Sequence, residues 1–252
     1  MKITLSKQYT QFQTQLTAHI NAFETSGTQF GDLGRNSIKL FDLEGEQLNI
    51  KSFKVPNVIN QVVYKFFRKS KAQRSFEYAS KLLRLGIGTP IPIAFYEFPT
   101  IFLFNKSYYI SQHLNCDLTY RELTTNVNYP DAEVIIRAFT RFTFDLHEKG
   151  VNFLDHSPGN TLITKTNDTY DFSLVDLNRM KFGKMDFKTR ITNFAKLTIH
   201  KSIIKIMSDE YAKLIHEDYD KVFDLMWDAT EKFQMKSKRK SELKKKLKFW
   251  KK

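Results

Sequence analysis

The hydrophobic pattern changes period once along the chain. Toward the N-terminus apolar residues alternate with polar ones, as half-buried strands require. Toward the C-terminus they recur every three to four positions, as amphipathic helices require. Residues 7–24 read as a helix. Ser37–Leu43 and Gln47–Phe53 alternate like strands, and Leu43-Glu44-Gly45-Glu46 between them is turn chemistry, so a β-hairpin is predicted. A basic helical stretch over 57–85, with a break near Ser70, stops at Gly86-Ile87-Gly88-Thr89-Pro90. Two strands follow, Ile91–Phe98 and Ser107–Gln112. Asp131–Lys149 is the strongest helix, with an apolar stripe at Val134, Ile135, Ala138, Phe142 and Leu146. A short hairpin, Thr161–Thr164 and Phe172–Val175, turns at Thr166-Asn167-Asp168, and about 186–248 is helical. The expected class is α+β: a lobe over 1–113 of antiparallel sheet plus helix, a mostly helical lobe over 114–235, and a tail over 236–252.

Composition narrows the function. The chain has 252 residues with 40 Lys or Arg against 27 Asp or Glu, a net charge of +13. One cysteine excludes a disulfide framework and any cysteine-based zinc cluster. The nine glycines fit neither a Walker A loop nor G-x-G-x-x-G. No stretch reaches the roughly 20 apolar residues of a membrane span, and the N-terminus, MKITLSKQYTQFQ, is too polar for a signal peptide. A cytosolic protein is expected. The tail KSKRKSELKKKLKFWKK has ten Lys or Arg and one Glu, so most of the net charge sits there. Its Leu243, Leu247, Phe249 and Trp250 suit an anionic membrane surface. A disordered basic tail is the plain alternative, and no nucleic-acid partner is expected.

The informative chemistry surrounds the second hairpin. Asp155-His156-Ser157-Pro158-Gly159-Asn160 precedes its first strand, and Leu174-Val175-Asp176-Leu177-Asn178 ends the second. A tight hairpin would bring its outer ends together, placing Asn160 beside Asp176 with Asp155 on the preceding loop. Two oxygen ligands with one further carboxylate nearby suit magnesium, which usually takes only one or two ligands from protein when it serves a nucleotide. His147 and His156 lie near, and each reads as a hydrogen-bonded structural residue.

D-H-S-P-G-N resembles the D-x-x-P-x-N core of the protein-kinase-like catalytic loop, and Val175-Asp176-Leu177-Asn178 stands in the place of D-F-G. Leu48-Asn49-Ile50-Lys51 resembles the V-A-I-K strand, with Glu77 of the following helix as the lysine's partner. Lys54 and Lys65 compete with Lys51 for that role. Gly31-Asp32-Leu33-Gly34-Arg35-Asn36 stands where the nucleotide-covering loop would be, and Arg35 could touch phosphates. More narrowly, the chain resembles the lipopolysaccharide inner-core sugar kinases, the Kdo/heptose kinase family. The stretches that carry this are Lys51-Ser52-Phe53-Lys54, S-K-A-Q-R-S-F-E-Y-A, L-G-I-G-T-P-I-P and V-D-L-N-R-M.

The resemblance implies a two-lobed protein-kinase-like fold and ATP- and Mg2+-dependent phosphorylation of a sugar on a lipid A-core glycolipid. It also implies work at the inner face of the bacterial inner membrane. Asp155 would be the catalytic base, Asn160 and Asp176 the magnesium ligands, and Lys51 the phosphate contact held by Glu77. Phe153 and Ser157 depart from the kinase loop, Leu177-Asn178 replaces Phe-Gly, and A-P-E is absent. These departures speak against an ordinary protein kinase. They leave a glycolipid kinase, an atypical protein kinase and a non-catalytic kinase-like adaptor open.

Overall fold

The computed structural model describes residues 1–31, 36–55, 61, 68–99, 104–126 and 128–249. Arg35, Lys65 and most of the helix expected before Ser70 lie outside these. The chain forms two compact units: 1–115 with 174–179, and 116–173 with 180–252.

The first unit is built on one antiparallel sheet. Its strands are β1 (Lys2–Leu5), β2 (Thr28–Gln29), β3 (Asn36–Leu43), β4 (Glu46–Phe53), β5 (Pro92–Phe98) and β6 (Lys106–Gln112), in the order β1-β5-β6-β4-β3-β2. The predicted hairpin forms as β3–β4 with Leu43 opposite Glu46. Its two-residue loop needs positive φ twice, and Glu44 (52°) and Gly45 (85°) supply it. Alternation then sorts β4: Leu48 and Ile50 enter a core with Leu16 and Ile20 of α1 (Gln13–Asn21). On the opposite face Phe53 packs with Phe95 and with Ala72 of α2 (Lys71–Arg84). Covered on both sides, β5 is buried at its first six positions: Pro92–Tyr96 read as an apolar run, and the buried Glu97 is paired with Lys2 at 3.5 Å.

Ser70 caps α2 by accepting from the Gln73 amide at 3.0 Å. At its C-terminus the amides of Gly86 and Ile87 return to the carbonyls of Leu83 and Leu82, with Gly86 at φ 67°. This is a Schellman end, which needs a left-handed residue just past the helix. It delivers the chain to Gly88 and Thr89.

The second unit packs α4 (Ala132–Glu148) against α6 (Lys201–Ile215), and α6 against α7 (Tyr219–Phe249). Ile135, Phe139 and Leu146 of α4 meet Ile204, Met207, Tyr211 and Met226. Val134, expected in this stripe, is 53% exposed. It lies one position, about 100°, off the buried stripe that Ile135, Phe139 and Leu146 define. A short α3 (Tyr120–Thr125) follows β7 (Leu118–Thr119), which joins β9 (Thr161–Thr166) and β10 (Thr169–Leu174) in the order β10-β9-β7. The hairpin β9–β10 is the one predicted. The pair β8 (Val151–Phe153) and β11 (Met180–Phe182) is not legible in the pattern, because strands of three residues leave no period to read. α5 (Phe187–Asn193) and a 3-10 turn, Phe194–Lys196, precede α6. α7 runs 31 residues and takes the basic tail into one helix without a break at 236. Among the described residues no helix is long and apolar enough to cross a membrane.

Candidate active site

In the first unit the site centres on Lys51. It stands in β4 between Ile38 of β3 and Tyr109 of β6, on the face that Phe53 shares. Its Nζ lies 5.5 Å from the Phe53 ring centre and donates to Asp176 Oδ1 at 2.7 Å. Asn178 Nδ2 donates to the same oxygen at 2.7 Å. Asp176 holds φ at 57°, a left-handed conformation that Asp tolerates better than most residues. The segment 174–179 is fixed to this unit from its start: the Leu174 amide donates to Gly88 O at 2.9 Å, and the buried Thr89 hydroxyl donates to Leu174 O at 2.8 Å. The L-G-I-G-T-P turn therefore anchors the aspartate, a role its sequence does not announce.

Glu77 does not hold Lys51. Its carboxylate accepts from Lys69 Nζ at 2.8 Å and from Gln73 Nε2 at 2.9 Å. Gln73 stands four residues earlier on the same face of α2, and Lys69 just before the helix cap, so both reach Glu77 locally. Lys51 meanwhile is taken by Asp176. Of the competitors, Lys54 is exposed at the strand end, and Lys65 lies outside the described residues.

In the second unit the loop between β8 and β9 carries Asp155 and Asn160. Asn160 Nδ2 donates to the Asp155 carbonyl at 2.8 Å, closing the loop on itself and leaving its own Oδ1 as an oxygen donor for a cation. Lys196 Nζ donates to Leu154 O and lies 3.6 Å from Asp155 Oδ1. Asn193, at the end of α5, ties the loop down. Its Nδ2 donates to Phe153 O at 2.9 Å and Asn152 Oδ1 at 3.1 Å. Its Oδ1 accepts from His156 Nδ1 at 3.0 Å and His147 Nε2 at 3.2 Å.

Because a backbone carbonyl can only accept, the Asn193 orientation is fixed, and with it both tautomers. His147 Nδ1 must then accept from the Tyr211 hydroxyl, 2.8 Å away. His156 Nε2 is left buried with no partner. Burial holds both rings neutral. It pushes His147 down to about 4, with the Asn193 bond opposing and the Arg190 charge adding. It pushes His156 down to about 3, helped by the charges of His147 and Lys196 against the Asn193 bond. Both are structural, as expected. Burial also pushes the Tyr211 hydroxyl up to about 12, keeping it a donor. Asn193 and Lys196 escape sequence reasoning because they lie about 40 residues past the loop in no recognisable motif.

The donors on offer suit magnesium and a nucleotide. Asn160 Oδ1 in the second unit and the Asp176 carboxylate in the first are oxygen donors, the ligand type magnesium requires. Among the described residues no group of three or more His, Cys, Asp or Glu could hold a metal on its own.

A sheet lysine tied to the aspartate after a hairpin, and a D-x-x-P-x-N loop over a helical unit, belong to the protein-kinase-like fold, and the protein has that fold. Among solved structures, WaaP in complex with acyl carrier protein matches with a TM-score of 0.63, over 92% of this chain and 99% of that one, at 15% identity. At that identity the likeness speaks for the fold alone. A MAP kinase from Leishmania major matches with a TM-score of 0.45, over 78% of this chain and 59% of that one, at 17% identity, too slight to build on. No protein-family model and no curated protein sequence matches the chain.

Proposed function

We propose that the protein is an ATP- and Mg2+-dependent kinase that phosphorylates a sugar hydroxyl, of Kdo or heptose, on the lipid A-linked inner core of lipopolysaccharide. The observation that carries this is the Lys51–Asp176 pair, which joins a phosphate-binding cation to a metal-binding carboxylate at 2.7 Å. The acceptor class rests on the family resemblance of the sequence.

In this reading Asp155 takes the proton of the acceptor hydroxyl as its oxygen bonds to the γ-phosphorus and the bond to the ADP oxygen breaks. Lys51 holds the α- and β-phosphates. Asn160 and Asp176 hold magnesium, which when bound neutralises charge on the phosphates. Asn193 and Lys196 keep the loop in place, so the chain contributes positioning and charge rather than covalent chemistry.

The substrate class would place the protein at the inner face of the bacterial inner membrane. The tail is suited to that: residues 235–246 are exposed all round the helix, Leu243 among the lysines. Sedimentation with anionic phospholipid vesicles, with and without residues 236–252, tests it. Equal binding by the truncated chain would remove the tail from the account.

The deciding experiment supplies γ-labelled ATP, magnesium and a lipid A-core extract lacking the phosphate to the wild type, Asp155→Asn and Asp176→Ala. Label is expected on the lipid with the wild type only. Nucleotide binding without transfer would overturn the acceptor. No nucleotide-induced thermal shift at all would overturn the kinase reading.

A further inference from the structure

Gly159 lies inside the catalytic loop, four residues past Asp155 and one before Asn160, and its φ is not in the left-handed region. Conformation does not demand glycine here; space does. A Cβ at this position would stand 2.5 Å from Arg121 Nη2, 3.3 Å from Cζ and 3.5 Å from Nε. The Arg121 guanidinium therefore rests on the loop backbone at the Gly159 Cα.

Its helix holds it there. Tyr120 and Leu123 of α3 are fully buried, and the helix starts with a reciprocal cap between Thr119 and Glu122. That cap also occupies the carboxylate next in sequence: Glu122 Oε2 accepts from the Thr119 amide at 2.8 Å and its hydroxyl at 2.6 Å. Among the described residues no carboxylate forms a salt bridge with Arg121, whereas Arg137, Arg141 and Arg190 each have one. An exposed guanidinium laid on a catalytic loop keeps its planar fork of donors available, and that fork matches a carboxylate or phosphate.

We propose that Arg121 is a specificity-determining residue that binds an anionic group of the acceptor, a carboxylate or a phosphate, close to the hydroxyl that is phosphorylated. This rests on the kinase reading above and adds to it the charge that the acceptor must carry near its reacting hydroxyl.

The test is steady-state kinetics of wild type, Arg121→Gln, Arg121→Lys and Gly159→Ala with a Kdo–lipid A acceptor. Parallel arms use the same acceptor with its sugar carboxylate methyl-esterified, or with its phosphates removed. Arg121→Gln is expected to raise the acceptor KM at least tenfold and leave the ATP KM within twofold. Arg121→Lys should recover part of the loss. Gly159→Ala should raise the acceptor KM less, since it displaces the guanidinium without removing its charge. Wild type and Arg121→Gln should become equal on the one acceptor that lacks the recognised anion, and that arm identifies the group.

An unchanged acceptor KM overturns the proposal. So does an equal rise in the ATP KM, or a loss that ignores acceptor charge. Calorimetric titration of the free sugar acid against its methyl ester gives a readout that does not need turnover. The wild type should prefer the acid at least tenfold and Arg121→Gln should not. Were no phosphate transferred by any form, the kinase reading would fail while this titration still decided the role of Arg121. Equal affinity of wild type for acid and ester would overturn it.

Discussion

Lys51 Nζ meets Asp176 Oδ1 at 2.7 Å across 125 residues of sequence, with 14% of the lysine side chain and 35% of the aspartate exposed. The pair is therefore neither a surface ornament nor fully buried. Lys51→Met and Asp176→Asn should each lower phosphoryl transfer by a factor of at least about 10². In stability the two changes should be non-additive, by about 0.5–1.5 kcal/mol, toward the low end of contacting pairs because the aspartate is partly solvated. A double-mutant cycle from urea denaturation measures this. Additive effects would mean that the ion pair contributes nothing to folding. Asn is the better replacement than Ala, since it tolerates the left-handed backbone at 176.

Glu77 gives a prediction of opposite sign. Its partners are Lys69 and Gln73, with Lys69 58% exposed, so the contact is worth less than about 1 kcal/mol. Glu77→Gln should leave the Mg·ATP-induced thermal shift within a degree or two of wild type, whereas Asp176→Asn should abolish it. A loss of the shift in Glu77→Gln equal to that in Asp176→Asn would show that Glu77 serves the nucleotide after all.

The contrast between these residues shows what the sequence could reveal. The β3–β4 hairpin was legible because eight residues of alternation flank a Glu-Gly turn that needs positive φ. α4 was legible because its buried face repeats for 17 residues. Asp155, Asn160 and Asp176 stood out because their spacing around a hairpin is chemically specific. The partner of Lys51 is not legible, because a helix pattern tells which way Glu77 faces but not which cation is near it. β8 and β11 are too short to show a period, and their pairing spans 27 residues from Phe153 to Met180. The supporting contacts from Thr89, Asn193 and Lys196 depend on tertiary placement alone.

Asn193 supports a sharper test of that hidden layer. It makes four hydrogen bonds beneath the loop, two as donor and two as acceptor. Asn193→Ala leaves two buried imidazole N–H groups without a partner, while the Phe153 carbonyl keeps the His156 amide at 3.1 Å. Each such orphan costs about 1–3 kcal/mol. The variant should lose about 2–5 kcal/mol by denaturant titration, and activity should fall with it even at temperatures where it remains folded. Asn193→Asp keeps an acceptor for both imidazoles but sets a second carboxylate oxygen, which cannot donate, against the Phe153 carbonyl, so it should recover only part of the loss. A full recovery by Asp would show that only the imidazole contacts matter.

The same network sets a pH dependence. His147 and His156 are held neutral at pKa values of about 4 and about 3, against the ordinary 6.5. Lowered values mean that the unfolded chain takes up protons that the folded protein refuses. Stability is therefore insensitive to these groups above about pH 7, and it falls as pH drops from 6.5 toward 4. Each histidine adds a slope of up to about 1.4 kcal/mol per pH unit. Proton uptake at His156 would also break the loop from within, since its ring packs against Phe139 and Phe153 at 5.3 and 5.9 Å between centroids. His156→Phe suits that aromatic setting and removes the partnerless Nε2. It should cost about 1 kcal/mol at pH 7.5 through the lost bond to Asn193. Between pH 6 and 4 it should flatten the slope by one histidine's share, so that the wild-type and variant melting curves converge or cross. Parallel pH profiles for the two proteins would show that His156 takes up its proton in the folded state too, and the buried neutral assignment would then be wrong.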